Sequence, residues 1–219
     1  MCATTSGIVF LDLQRNRYQA ISAHHEIALQ AIQERPLEEC PDEAHALART
    51  LERAGLVEST SASVSVSHAA SRACIARISA NEVIEAQTRP PTHGLAFMRS
   101  YMWAKHSIKR ATLFTVVEQL TYERSSSAEA RSRADDACAA SLHALGFHRL
   151  RPFAFTAREH CLLHALALVR YLSFHGIDAT WFIGVNTQPW RAHSWVQYED
   201  IVLDATPEQV LEYTPILVV

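Results

Sequence analysis

The sequence has few of the features that mark nucleotide-binding, secreted or membrane-spanning proteins. Its six glycines are scattered and form no glycine-rich phosphate loop. Its five cysteines are odd in number, and no two are spaced as metal ligands, so we predict reduced thiols, no metal and no cofactor. No apolar run reaches the length of a membrane span, and the first residues lack the basic and apolar regions of a signal peptide. We therefore expect a cytoplasmic chain without a membrane partner.

The overall composition describes an ordinary globular protein. The chain has 219 residues, a length that suits one or two domains, and 48% of them are hydrophobic, which is enough for a sizeable core. The formal net charge of −3 argues against nucleic acid as a partner.

One stretch, from Glu159 to Asp204, has the clearest pattern of secondary structure. Apolar residues spaced as a broad helix face follow Cys161, and Gly176 stands where a helix C-terminal glycine belongs. An aromatic and β-branched run then predicts a buried strand, and a shorter alternating run predicts a hairpin. The predicted elements are a helix from Cys161 to Gly176, a strand over 180–185, a connector over 186–191, and a hairpin of strands 194–198 and 201–203.

Three side chains of this stretch have the order of a thiol nucleophile, its base and an orienting acid. Cys161 falls at a helix N-terminus, where unpaired backbone N–H groups favour a thiolate and can receive an oxyanion. His193 is expected at the start of a strand and Asp204 at the end of the next, so that the hairpin brings them side by side. We predict Cys161, His193 and Asp204 as catalytic residues.

Other candidates fit these roles less well. Asp200 lies in the predicted turn itself, so Asp204 is the preferred acid. His160 leaves the helix in a different direction from Cys161, and His164, one turn later, is expected to reach solvent. A lone buried cysteine or a lone histidine near a strand is most often structural, so the prediction depends on the combination.

This stretch resembles the transglutaminase-like protease domain of the lasso-peptide maturation B proteins. The resemblance is carried by Cys161-Leu162, Ala165-Leu166-Ala167-Leu168, Gly176-Ile177, Ile183-Gly184-Val185, Thr187-Gln188-Pro189, His193-Ser194-Trp195-Val196 and Asp204-Ala205. Trp190 and Gln197 replace the phenylalanine and glutamate that the family usually has. The resemblance implies a cysteine protease that cuts the leader–core bond of a ribosomally made precursor peptide. It also implies an asparagine-synthetase-like lasso cyclase as partner, which would be the protein that uses any ATP.

The first 60 residues predict a hairpin, two helices and a short extension. Beside the protease-like stretch, this unit resembles the precursor-recognition domain of ribosomal peptide maturation. The resemblance implies a leader peptide that adds a strand to an open sheet edge. The residues expected to bind the leader are Phe10, Leu11, Tyr18, Leu56 and Val57. A hairpin that merely packs on its own helices is the alternative.

These interpretations combine into an α+β protein. We predict a small winged-helix-like leader-binding domain over residues 1–60, a linker over 61–94, and a transglutaminase-like (papain-like) cysteine protease domain over 95–219. Within the last, one long helix is expected over 95–122 and another over 128–145, closed by Gly146. The alternatives are another acyl transferase on the same fold, such as a transglutaminase, and a non-catalytic leader-binding scaffold. The intact catalytic set argues against the scaffold.

Overall fold

The computed structural model describes residues 1–56, 76–83, 90–126, 136–154 and 161–219. The strands are β1 (Cys2–Thr4), β2 (Gly7–Asp12), β3 (Arg17–Ser22), β4 (Ile78–Ser79), β5 (Thr180–Thr187), β6 (Trp190–Tyr198), β7 (Ile201–Val202) and β8 (Thr214–Val218). The α-helices are α1 (Glu26–Glu34), α2 (Asp42–Arg53), α3 (Ala80–Val83), α4 (Gly94–Arg110), α5 (Leu113–Ser126), α6 (Asp136–Leu150), α7 (Cys161–Phe174) and α8 (Pro207–Leu211). None of the helices in these ranges combines the length and apolarity that crossing a membrane requires.

The N-terminal unit is a small antiparallel sheet with two helices beneath it. Strand β2 pairs with both β1 and β3, so β1 and β3 are the edges. Its core is formed by alternate residues of β2 together with one face of each helix: Ile8, Phe10, Leu29, Leu47 and Leu51. The predicted hairpin and both helices are therefore confirmed, and β1 is an addition. Its winged-helix character and its binding of a leader stay predictions.

The C-terminal region contains a mixed five-stranded sheet in the order β4-β7-β6-β5-β8. Strands β5 and β6 form an antiparallel hairpin, β7 and β8 extend it on either side, and β4 pairs with β7 in parallel. The predicted helix, strand and hairpin are confirmed. The predicted connector over 186–191 is wrong, because β5 continues to Thr187 and β6 begins at Trp190. Only Gln188 and Pro189 connect them, and His193 therefore lies inside β6 rather than at its start.

Helix α7 is the centre of this region. Almost all of its residues after the first turn are buried, as expected of a helix that is apolar on every side. It packs on the side of the sheet that carries Trp181, Ile183 and Val196. The other side carries Phe182 and Trp195 and is covered by α8. The end of α7 follows the prediction, because Gly176 adopts a left-handed φ of 76° just after it.

Two predicted helices have different bounds in the structure. The long helix over 95–122 is two helices, α4 and α5, separated at Ala111 and Thr112. The break is stabilised from the N-terminal unit, since Asn16 Oδ1 accepts a hydrogen bond from Leu113 N at 2.8 Å. The later helix does not end at Gly146 but continues to Leu150 as α6. Gly146 is needed there for packing, because a Cβ would overlap the carbonyl oxygen of Pro91.

The two units are in direct contact. Besides the bond from Asn16, Phe114 N donates to Leu13 O at 3.0 Å, and Gln188 Nε2 donates to Ser6 Oγ at 2.8 Å. The range predicted as a linker, 61–94, contributes β4 and α3 to the C-terminal region. The hairpin of the first unit is thereby held against the region that contains Cys161.

Candidate active site

Cys161 and His193 line the same cavity, which has a volume of about 280 Å³. Cys161 is the first residue of α7 and its side chain is exposed. His193 reaches the cavity from β6, the strand that packs on α7. The structure thus brings the predicted nucleophile and the predicted base to one site, as the order helix–strand–strand led us to expect.

The N-terminal hairpin supplies one wall of this cavity. Leu11, Asn16 and Tyr18 line it together with Cys161, and the C-terminal region supplies the other lining residues. The pKa of the Tyr18 hydroxyl is raised by burial and, to a lesser degree, by the nearby Cys161 thiolate charge. The Tyr18 hydroxyl therefore lies close enough to Cys161, the predicted nucleophile, for the two side chains to interact electrostatically. No pattern in the first 60 residues indicated that this unit would reach the thiol.

The His193 imidazole is held by aromatic neighbours. Its ring centroid lies 6.0 Å from that of Trp195, nearly parallel to it, and 5.3 Å from that of Tyr213. Burial lowers the pKa of His193, the Asp204 carboxylate raises it, and His164 lowers it further, with a net decrease. His193 is accordingly neutral at pH 7, which is the form that accepts a proton.

Asp204 makes its closest contacts with groups other than His193. Its Oδ1 accepts a hydrogen bond from Val196 N at 2.9 Å, and its Oδ2 lies 3.4 Å from His164 Nδ1. Both of these side chains are buried, with 3% of Asp204 and 7% of His164 exposed. Among the described residues no hydrogen bond joins His193 to Asp204 or to Cys161. Asp204 acts on His193 through its charge alone, and the expectation that His164 reaches solvent is wrong.

A second histidine supports the segment that ends in Asp204. His148 of α6 approaches Leu203 O with its Nε2 at 2.8 Å, and its ring stacks 5.3 Å from that of His164. Burial lowers the pKa of His148, partly offset by its bond to Leu203. Sequence reasoning missed His148 and ranked His164 low. A signal for His164 existed, because a residue three positions after Cys161 lies on the same side of a helix.

Gln197 and Trp190, which replace the residues usual in the family, both make specific contacts. Gln197 is buried and accepts a hydrogen bond from the Trp195 indole nitrogen at 2.7 Å. Trp190 is exposed at the start of β6, and its ring meets Tyr18 edge-on at 5.6 Å. Trp190 thereby links the β5–β6 hairpin to the cavity wall of the first unit.

The residues predicted to bind a leader fall into three groups. Leu11 and Tyr18 line the cavity. Phe10 is buried in the small N-terminal core, and Leu56 packs at the margin of the same core. Val57 lies outside the described residues. The structure therefore places only Leu11 and Tyr18 where they could touch a peptide that also reaches Cys161.

Comparison with known proteins agrees with this arrangement. The family model of the transglutaminase-like superfamily matches residues 107–218, more than half of the chain. The microcin J25-processing protein McjB of Escherichia coli is 42% identical over 50 residues, which span 23% of this chain and 24% of that protein. No solved structure matches. The two matches support the resemblance to the lasso-peptide maturation B proteins.

Proposed function

Because this chain belongs to the transglutaminase-like superfamily, we propose that it is a leader peptidase of lasso-peptide maturation. It would bind the leader of a ribosomal precursor peptide and hydrolyse the bond between leader and core. One observation carries the proposal: an exposed thiol at a helix N-terminus and a neutral histidine line a cavity that residues of the N-terminal hairpin also line.

The reaction assigns a separate task to each catalytic residue. Cys161 attacks the scissile carbonyl, and His193 takes the thiol proton and returns it to the leaving amine. Backbone N–H groups at the start of α7 receive the oxyanion. Because the pKa of His193 is lowered, proton transfer would accompany attack, rather than precede it in a stable thiolate–imidazolium pair.

The proposal requires His193 to move. Its ring now packs against Trp195 and Tyr213, on the side of β6 where Trp195 lies, whereas α7 packs on the other side of the sheet. The start of β6 would have to shift together with the ring when a peptide fills the cavity, since catalytic hydrogen bonds are often incomplete in the free enzyme. Asp204 would stabilise the imidazolium by its charge, while its own oxygens stay on Val196 and His164.

The leader would bind along β3. This strand is an edge of the N-terminal sheet, and no second strand pairs with it among the described residues. An edge offers unpaired N–H and C=O groups to an extended peptide. Tyr18 belongs to β3 and also lines the cavity, so a peptide paired with this edge would extend directly to Cys161.

The partner inferred from the resemblance is an asparagine-synthetase-like cyclase that uses ATP to close the ring of the core peptide. Hydrolysis by this chain would release the amine that the cyclase then acylates. The match to McjB, a microcin J25-processing protein, supports this place in a maturation sequence.

The test compares two exposed cysteines. Cys161→Ala and Cys138→Ala are each incubated with a lasso cyclase and a lasso precursor peptide that the wild-type chain processes, and the products are weighed by mass spectrometry. We expect no free leader with Cys161→Ala and wild-type release with Cys138→Ala. Leader release by Cys161→Ala at the wild-type rate would contradict the proposal.

Another acyl transfer on the same fold is the second candidate, and superfamily membership favours it equally. A transglutaminase would join the peptide to an amine and release ammonia from a glutamine. Hydrolysis instead yields two fragments whose masses sum to that of the precursor plus water. The same mass spectra therefore distinguish the two reactions.

A further inference from the structure

Three histidines that the proposed function does not use come together at the other end of α7. His93 precedes α4, His143 lies on α6, and His175 follows α7 directly. The ring nitrogens that face one another all lie within 4.8 Å. The ring centroids are 4.2 Å apart for His143 and His175, 4.5 Å for His93 and His175, and 5.7 Å for His93 and His143.

Two of the ring nitrogens in this cluster are buried without a partner. His143 Nδ1 and His175 Nε2 are shielded from solvent and make no hydrogen bond to any described residue. Buried polar atoms are nearly always hydrogen-bonded, because leaving one unsatisfied costs stability. Two such atoms in adjacent imidazoles suggest that a group from outside the chain satisfies both.

Two histidines of the cluster, His143 and His175, are held in the neutral form. Burial, and to a lesser degree the neighbouring His143 and His93, lower the pKa of His175 to about 4. Burial also lowers the pKa of His143. At neutral pH both rings therefore keep a free lone pair, which is the form that coordinates metal ions.

The packing around the cluster fixes the three positions. The close approach of Pro91 to Gly146 holds the segment before α4 against α6. His175 N donates to Leu172 O at 2.9 Å, which keeps the residue in the last turn of α7. The Tyr171 ring packs against His175 at 4.7 Å and fills the space beneath it.

We propose that His93, His143 and His175 bind one divalent transition-metal ion, with Zn²⁺ as the preferred ion. Three imidazoles suit zinc, copper or nickel, whereas magnesium and calcium require oxygen ligands. In a tetrahedral zinc site the ligand nitrogens are about 3.3 Å apart. Small rotations of the three side chains would bring their nitrogens, now within 4.8 Å of one another, to that spacing. His93 is exposed, which leaves room for water as a fourth ligand. The sequence reading predicted no metal, and this inference departs from it.

The ion would have a structural role. Helix α7 has 14 residues, which puts its two ends about 20 Å apart, so the ion lies far from Cys161. It would join the start of α4, the middle of α6 and the end of α7, three points separated by long stretches of sequence. Ligand binding to the folded state alone raises stability, so the ion would tighten the helical layer that supports the catalytic sheet.

The test measures metal binding and does not depend on peptidase activity. The full chain is freed of metal with EDTA and dialysed, then titrated with ZnCl₂ in a calorimeter and, separately, with MgCl₂. Its thermal midpoint is recorded with each ion. We expect one Zn²⁺ per chain, a raised midpoint with Zn²⁺ only, and loss of about tenfold or more in affinity for His175→Gln and for His143→Gln.

Matched variants separate this site from other zinc-binding groups. The double variant His24→Gln/His25→Gln removes two adjacent histidines of the first unit, one exposed and one half-buried. Cys161→Ala removes the catalytic thiol. Both should bind Zn²⁺ as the wild type does. His93→Gln changes an exposed ligand, so it reports on the site even if a buried variant fails to fold. Zinc binding that survives His93→Gln, His143→Gln and His175→Gln, or that disappears with Cys161→Ala, would overturn the proposal, as would the absence of stoichiometric binding.

Discussion

The two ends of α7 both gather histidines, yet the surroundings of those histidines differ. At the N-terminal end, His193 and an exposed thiol line one cavity, and residues of the N-terminal unit line it as well. At the C-terminal end, His143 and His175 turn buried nitrogens toward each other and toward His93. An imidazole beside a cavity can exchange protons with a substrate once it moves into it, whereas imidazoles that already face one another could share a cation.

The strongest test of this comparison is a pair of substitutions, one at each end. His193→Ala should lower kcat/KM for leader removal by about 10²- to 10⁴-fold, because an unassisted thiol is mostly protonated near neutral pH. His175→Gln should leave kcat/KM close to the wild-type value. Quenched-flow or mass-spectrometric kinetics would measure both.

The pH profile of the same reaction gives a second readout. Because burial lowers the pKa of His193, the acid limb of kcat/KM should fall below pH 6.5.

His164→Ala is the matched control for His193→Ala, since His164 contacts Asp204 without lining the cavity. If His164→Ala removes activity and His193→Ala does not, the base is His164 and the proposed assignment fails.

A smaller effect is expected when the charge of Asp204 is removed. Asp204→Asn keeps an oxygen for the bond from Val196 N but takes away the carboxylate that stabilises the His193 imidazolium. We expect kcat to fall about 10- to 100-fold with little change in KM, because the charge matters most in the transition state. An unchanged kcat would mean that Asp204 serves only the fold.

The cavity wall of the N-terminal unit should affect binding more than chemistry. Tyr18→Ala should raise KM for the precursor by about tenfold, the loss of roughly 1.4 kcal/mol of binding, because it removes a ring that lines the cavity and meets Trp190. Tyr122→Ala is the control, since Tyr122 is 77% exposed on α5. Equal KM values for the two variants would show that the N-terminal hairpin does not take part in substrate binding.

The mildest expected effect concerns the pH dependence of stability at the histidine cluster. The pKa of His175 is about 4 in the folded chain against 6.5 ordinarily. As the pH falls below 6.5, His175 becomes protonated in the unfolded chain but stays neutral in the folded chain. The free energy of unfolding therefore declines with falling pH until His175 of the folded chain is also protonated, near pH 4. The thermal midpoint of His175→Gln should therefore fall by a few degrees less than that of the wild type over the same pH range. The melts are recorded in EDTA, and a slope equal to that of the wild type would contradict the assignment.

The elements at the N-terminal end of α7 could be predicted from sequence because they follow one another in the chain. Helical spacing after Cys161, the glycine at 176 and the alternation in β6 are local patterns, and they indicated the helix that begins at Cys161 and, apart from where it begins, the strand that contains His193. The partner of Asp204 could not be predicted, because it depends on how closely α7 approaches β6. The break between α4 and α5 was also hidden, since it is stabilised by Asn16, far away in the chain.

The histidine cluster had no local pattern at all. Its members are 50 and 32 residues apart in the chain, so no short motif joins them. Gly146 was interpreted as a helix end, whereas its absent side chain admits Pro91 and so positions His93. The contacts that create this end of α7 exist only after three helices have packed.

Strand β4 shows where this polypeptide could be divided into two. Ile78 and Ser79 come before the helices of the C-terminal region, yet they pair with β7, whose chain leads directly to Asp204. Ala76 and Ala80 beside them are buried. A gene split near residue 94 would leave β7 as a bare edge and invite aggregation. A split between residues 56 and 76 would give two polypeptides, each with its own sheet intact, and the second would keep every side chain proposed for catalysis.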